Sequence, residues 1–144
     1  MLSIFAAGHP PKRSNTASQN PVSYEDGRAI QYFNSTDELK YFLTLIMPPK
    51  GTPTMFNPPL HFHSFQYETF VVRKGIGHYF IDKKSRIPHP MKPIVVWAGE
   101  SIDIPIGTYH RFETADPKNE LVVEVLLDPD TREIEHRFFS NFFG

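Results

Sequence analysis

The stretch HFHSFQYETFVVRKG, residues 61–75, decides how this chain is read. His61 and His63 flank a single phenylalanine. Alternation along a β-strand sends both to one face, where two imidazoles can converge without a bend in the chain. Glu68 opens a second run whose face continues through Phe70 and Val72, and Gly75 suits a tight turn returning the chain antiparallel. A separate stretch, GESIDIPIGTYHRFET at residues 99–114, supplies a third imidazole, His110. Gly99 and Gly107 provide turns at either end of SIDIPI, and Pro105 ends that strand because it has no ladder donor. His61, His63, Glu68 and His110 together offer three nitrogens and one oxygen. Such a set suits iron, manganese, nickel, cobalt, copper or zinc. Taken singly the residues read differently: His-Phe-His is more often an exposed polar face, and a lone glutamate a solvated charge.

Outward from these stretches, short runs rich in β-branched and aromatic residues are separated by Pro and Gly: AIQYF, LKYFLTLIM, HYFI, PIVVWA, SIDI, HRFE and LVVEVLL. That spacing predicts an all-β sandwich or barrel. Ser35-Thr36-Asp37-Glu38 has the form of a capping box ahead of LKYFLTLIM, which would start a helix. The run's Tyr, Phe, Thr and Ile content, cut short by Pro48-Pro49, favours a strand instead. Residues 1–27 show neither period and read as an irregular N-terminal arm, with the barrel over 28–128. Residues 129–144 read as a short C-terminal helix, capped by Asp130 and Glu133, with Ile134, Phe138 and Phe142 on one face. Its four phenylalanines exceed one stripe, so some are expected to pack on the barrel, on a partner subunit or on a further segment. Residues 83–93 form the longest turn between candidate strands.

Composition narrows the function classes. At 144 residues the chain makes one domain. Its 15 basic and 16 acidic residues leave no electrostatic footprint for nucleic acid or an anionic membrane. With no cysteine, a metal would have to be held by imidazole and carboxylate. The apolar opening MLSIFAAG has no basic segment ahead of it and is too short for a secretory core. No run approaches the roughly 18 apolar residues of a membrane span, so a cytoplasmic location is the default expectation.

The two stretches resemble the paired motifs of the cupin superfamily in order and internal spacing: His61, His63, Glu68 and Gly75, then Gly99, Pro105, Gly107 and His110. The resemblance spans residues 50–127. It departs from the family pattern at Met55, where a glycine is usual, and at Thr114, where an asparagine is usual; both bear on turns rather than ligands. It implies a double-stranded β-helix, a jelly-roll barrel, in which His61, His63, Glu68 and His110 coordinate one divalent metal, iron foremost. Compact stand-alone cupins similar to this one occur in fungal secondary metabolism. The expected function is accordingly a metal-dependent oxidoreductase of dioxygenase type acting on a small aromatic or polyketide-like molecule, with Glu68 also taking a proton. A non-redox lyase or isomerase (dehydration, decarboxylation or enolisation) and a non-catalytic binding cupin are the alternatives. Cupins similar to this one commonly pair through sheet edges, so a homodimer is expected. His9, His78, His89 and His136 read as surface or satisfied histidines. Tyr67, Phe70, Tyr79, Trp97, Ile104, Tyr109 and Phe112 individually read as core.

Overall fold

The structure is a computed structural model that describes residues 21–24, 29–33, 43–52, 57–82 and 92–129. Every element among them is a strand: β1 (Val22–Tyr24), β2 (Ala29–Phe33), β3 (Leu43–Met47), β4 (Tyr67–Lys74), β5 (Ile76–Asp82), β6 (Ile94–Trp97), β7 (Ser101–Ile104), β8 (Tyr109–Thr114) and β9 (Leu121–Asp128). They form a six-stranded sheet in the order β1-β2-β3-β9-β4-β7 and a three-stranded sheet in the order β6-β5-β8. All pairings are antiparallel.

The cause of this arrangement is visible in single strands. In β3 and β9 every second side chain is buried, the pattern of a strand with one covered face. Leu43, Leu45 and Met47 of β3 join Leu121, Val123, Val125 and Leu127 of β9 and Phe70 and Val72 of β4 on the inner face of the large sheet. Tyr79, Val96 and Phe112 of the small sheet belong to the same cluster. Phe112 stacks on Tyr79, with ring centroids 5.4 Å apart, and meets Phe70 at 5.0 Å. Burying each such side chain contributes about 1.5–3 kcal/mol, so the layer between the sheets is the main source of cohesion.

Several expectations hold and others are corrected. Leu43–Met47 is a strand, as its composition favours; the capping box ahead of it lies outside the described residues. Val22–Tyr24, at the end of the stretch read as an irregular arm, pairs with β2, so the large sheet begins inside that arm. Residues 1–20, most of the 83–93 turn and the expected terminal helix over 130–144 lie outside the described residues. Gly75 does not close a hairpin. β4 pairs with β7 and β9, whereas β5 pairs with β6 and β8, so the glycine passes the chain from one sheet to the other. Phe70, Tyr79, Ile104 and Phe112 are buried, but Tyr67 is not, and Trp97 is 56% exposed. Trp97 sits on β6, an edge strand whose outward side chains, Val95 among them, have nothing described above them. His78 meets the Phe80 ring edge-on rather than a ligand partner. No helix among the described residues is long and apolar enough to cross a membrane.

Gly75 has a φ of +80°, and a Cβ there would collide with the carbonyl oxygen of Glu120. Both the left-handed backbone and the lack of space demand glycine. Gly75→Ala is expected to lower stability by about 2 kcal/mol or more, read as a shift in the urea midpoint at unchanged slope.

Candidate metal centre

The segment before β4 begins with two prolines, Pro58 and Pro59, which have no N–H for a ladder. His61–His63 therefore does not form the regular strand expected of it. A single bridge forms, His61 opposite His110. These two residues exchange both backbone bonds: His61 N donates to His110 O at 3.1 Å, and His110 N to His61 O at 2.8 Å. A third bond, from Gly107 N to His63 O at 2.8 Å, continues the seam. Gly107 reaches that position in a turn with φ +73°.

Three imidazoles and a carboxylate meet where this seam crosses the start of β4. The ring centroids of His61 and His110 are 4.4 Å apart, those of His61 and His63 5.2 Å, and those of His63 and His110 5.6 Å. Glu68 lies on the inner face of β4, with Oε2 2.7 Å from His110 Nε2 and Oε1 3.4 Å from His63 Nε2. One ligand atom from each of His61, His63, Glu68 and His110 falls within 4.8 Å of the others. Ligands on opposite sides of a metal with bonds near 2.1 Å would be about 4 Å apart, so the cluster is close to the size required. Glu68 and His110 are buried, whereas His61 and His63 are half-buried, so the cluster is most open at these two histidines.

Backbone carbonyls set the tautomers. His61 Nδ1 donates to Pro59 O at 2.7 Å and His110 Nδ1 to Thr108 O at 2.9 Å, each two residues back along the chain. A carbonyl only accepts, so in both rings the proton is on Nδ1, and the neutral ring turns the Nε2 lone pair inward. His110 Nε2 then faces a carboxylate oxygen at 2.7 Å, although neither atom has an aligned hydrogen-bond partner. His63 Nε2 is likewise buried and unpartnered. Electron-rich atoms held this close need a positive charge between them, a proton or a metal ion. The donor set fits a borderline transition metal and has no soft sulfur ligand. The two positioning carbonyls were not singled out from sequence. Every residue has a carbonyl two positions back, so no signal in the sequence marks these two.

Burial pushes the His61 imidazole below its ordinary value of 6.5; the bond to Pro59 and the charge of Glu68 oppose this, while His110 and His63 reinforce it. The low-pKa ring stays neutral, and so able to bind a metal, to lower pH than a free histidine.

A family model described as Auxin binding protein matches residues 30–135. A curated relative, the protein called Probable oxidoreductase virH from Hypocrea virens, is 29% identical over 142 residues, covering 93% of this chain. The chain spans 61% of that relative's length. Among solved structures, the Schizosaccharomyces pombe Cnp3 cupin domain aligns with TM-score 0.56 at 13% identity, over 84% of this chain and 76% of that one. A predicted oxalate decarboxylase from Thermotoga maritima aligns with TM-score 0.55 at 16% identity, over 78% and 94%. KdgF from Halomonas sp. aligns with TM-score 0.53 at 12% identity, over 81% and 93%. At such identities these likenesses speak for the fold, and the fold is that of a cupin.

Protein purified without a chelating tag is expected to hold about one metal per chain by elemental analysis, and His61→Ala with His63→Ala to lose it. Stoichiometric metal in the double variant would refute the assignment. Because the neutral ring is the ligand and His61 is held below its ordinary value, metal should be retained at pH 7 and shed only as the pH falls below the ordinary imidazole value of 6.5, measured after dialysis across a pH series.

Proposed function

The chain belongs to the auxin-binding-protein family, and from that premise we propose that it is a metal-dependent oxidoreductase of dioxygenase type, acting on a small aromatic or polyketide-like molecule. The observation that carries the reading is the convergence of His61, His63, Glu68 and His110 into one cluster that is buried beneath and open at His61 and His63. The relative from Hypocrea virens, named as a probable oxidoreductase, supports redox chemistry over the non-redox alternative. A metal held by these four residues, iron foremost, would supply Lewis-acid polarisation of substrate oxygen and one-electron redox capacity.

The chain's own residues account for the remainder. The Pro59 and Thr108 carbonyls keep the His61 and His110 rings turned inward. Phe70, packed at 6.3 Å from the His110 ring, and the aromatic layer behind it exclude water from the floor. Glu68, buried beside two imidazoles, would hold the metal and would also be the carboxylate that accepts a substrate proton. Phe62, Phe65 and Ile106 are all about half exposed and lie on the two segments that carry His63 and the Gly107 turn. An apolar border of this kind favours a flat, weakly polar substrate over a sugar or a phosphate ester.

The test is oxygen uptake by iron-loaded protein over a panel of phenolic and polyketide-like compounds, paired with product analysis. Uptake stoichiometric with product is expected, and Glu68→Gln should cut it by about a hundredfold or more. Turnover unchanged under nitrogen would replace this reading with lyase or isomerase chemistry. Binding without conversion would make the protein a small-molecule carrier.

A further inference from the structure

Residues 61–67 carry two of the four candidate ligands, and Gln66 is the one fully buried residue among them, at 1% exposure. Burying an amide costs free energy unless it is hydrogen-bonded, whereas a methionine or leucine would fill the same space without needing a partner. The choice of glutamine therefore turns on what the amide binds. Gln66 Nε2 donates to the carbonyl oxygen of Pro129, 63 residues further along the chain, at 3.2 Å. The buried positions of β4, Val72, Phe70 and Glu68, continue backwards at the same interval to Gln66, so its amide lies on the inner face beside the Glu68 carboxylate.

The bond restrains a connection whose two ends are ligands. His63 and Glu68 stand at those ends, with Nε2 and Oε1 3.4 Å apart. His63 O is held by Gly107 N, and Tyr67 pairs with Asp128. Between them Ser64 and Phe65 are exposed and make no backbone bond among the described residues. The rings at the centre are also held unequally. His61 and His110 each have Nδ1 tied to a backbone carbonyl, whereas the His63 ring has no such bond among the described residues. Its place beside Glu68 depends on how the connection is pinned. Glu68 is opposite Leu127 on β9, and Pro129 follows two residues later, so the Gln66 bond ties the connection to the strand that already fixes the carboxylate.

On the reading that His61, His63, Glu68 and His110 hold a metal, we propose that Gln66 is a positioning residue for that centre. Its amide pins the Ser64–Gln66 connection to the end of β9 and so keeps the His63 imidazole at ligand distance from Glu68.

The test uses the full-length chain, with zinc for affinity and cobalt for its visible absorption. Gln66→Met keeps the length of the side chain and removes the donor. It should weaken zinc by about tenfold or more, the usual effect of losing a group that orients a ligand. The cobalt form of the variant should show a changed d–d band, because a loosened His63 alters the ligand field. By linkage, zinc bound to the unaltered chain should hold the Gln66 bond closed and slow hydrogen exchange of that side-chain amide by a similar factor, a readout that stands even where the variant does not fold. Undiminished zinc affinity with an unchanged cobalt spectrum in Gln66→Met would overturn the proposal and leave the metal centre standing. So would zinc that leaves exchange of the Gln66 amide unaltered. A lowered thermal midpoint in metal-free Gln66→Met, with both metal readouts untouched, would make the residue packing only. Failure of zinc and cobalt to bind the unaltered chain would instead refute the metal centre itself.

Discussion

The reciprocal backbone bonds between His61 and His110 are the constraint on which the site rests. They join an irregular, proline-led segment to the first residues of β8, and so bring together two histidines far apart in sequence. A regular strand would have aligned His61 and His63 by its own repeat. Here the prolines forbid that repeat, and the alignment comes instead from three interstrand bonds, two to His110 and one from Gly107. The price is local irregularity, and the return is that residues 61–63 follow β8 as a body.

Charge dictates the rest of the centre. A carboxylate 6% exposed, beside imidazoles whose second nitrogens are committed to carbonyls, is not stable without a compensating cation. Its field reaches further into the core. Burial and the Glu68 charge together push the Tyr79 hydroxyl well above its ordinary range, so that ring stays neutral and behaves as packing. The aromatic layer is accordingly an apolar partition with one polar face, and it separates the candidate metal centre from the far end of β8.

Much of this could be read from the residues. The alternation in Leu43–Met47 and Leu121–Asp128 specifies strands with one covered face. The spacing of His61, His63, Glu68 and His110 picks out the four side chains that the fold brings together. What could not be read depends on contacts between distant segments. Gly75 announces a turn, but whether the next strand pairs with β4 or leaves for another sheet depends on β7 and β9 occupying both edges of β4. Trp97 reads as core by type, yet edge position is a property of sheet order, which no local pattern encodes. Thr114 is legible only as a departure from a motif; that its hydroxyl is buried without a partner depends on what the fold packs around it.

Glu68 rises from the large sheet, and His110 from the small one. The cluster is therefore a rivet through both layers, and the distance between its atoms measures the gap between the sheets. Any motion that slides or parts the layers must change the ligand distances, and anything that fixes those distances must stiffen the sandwich. Mutations deep in the apolar layer thus acquire a route to the four-residue cluster without touching it, through the thickness of the filling.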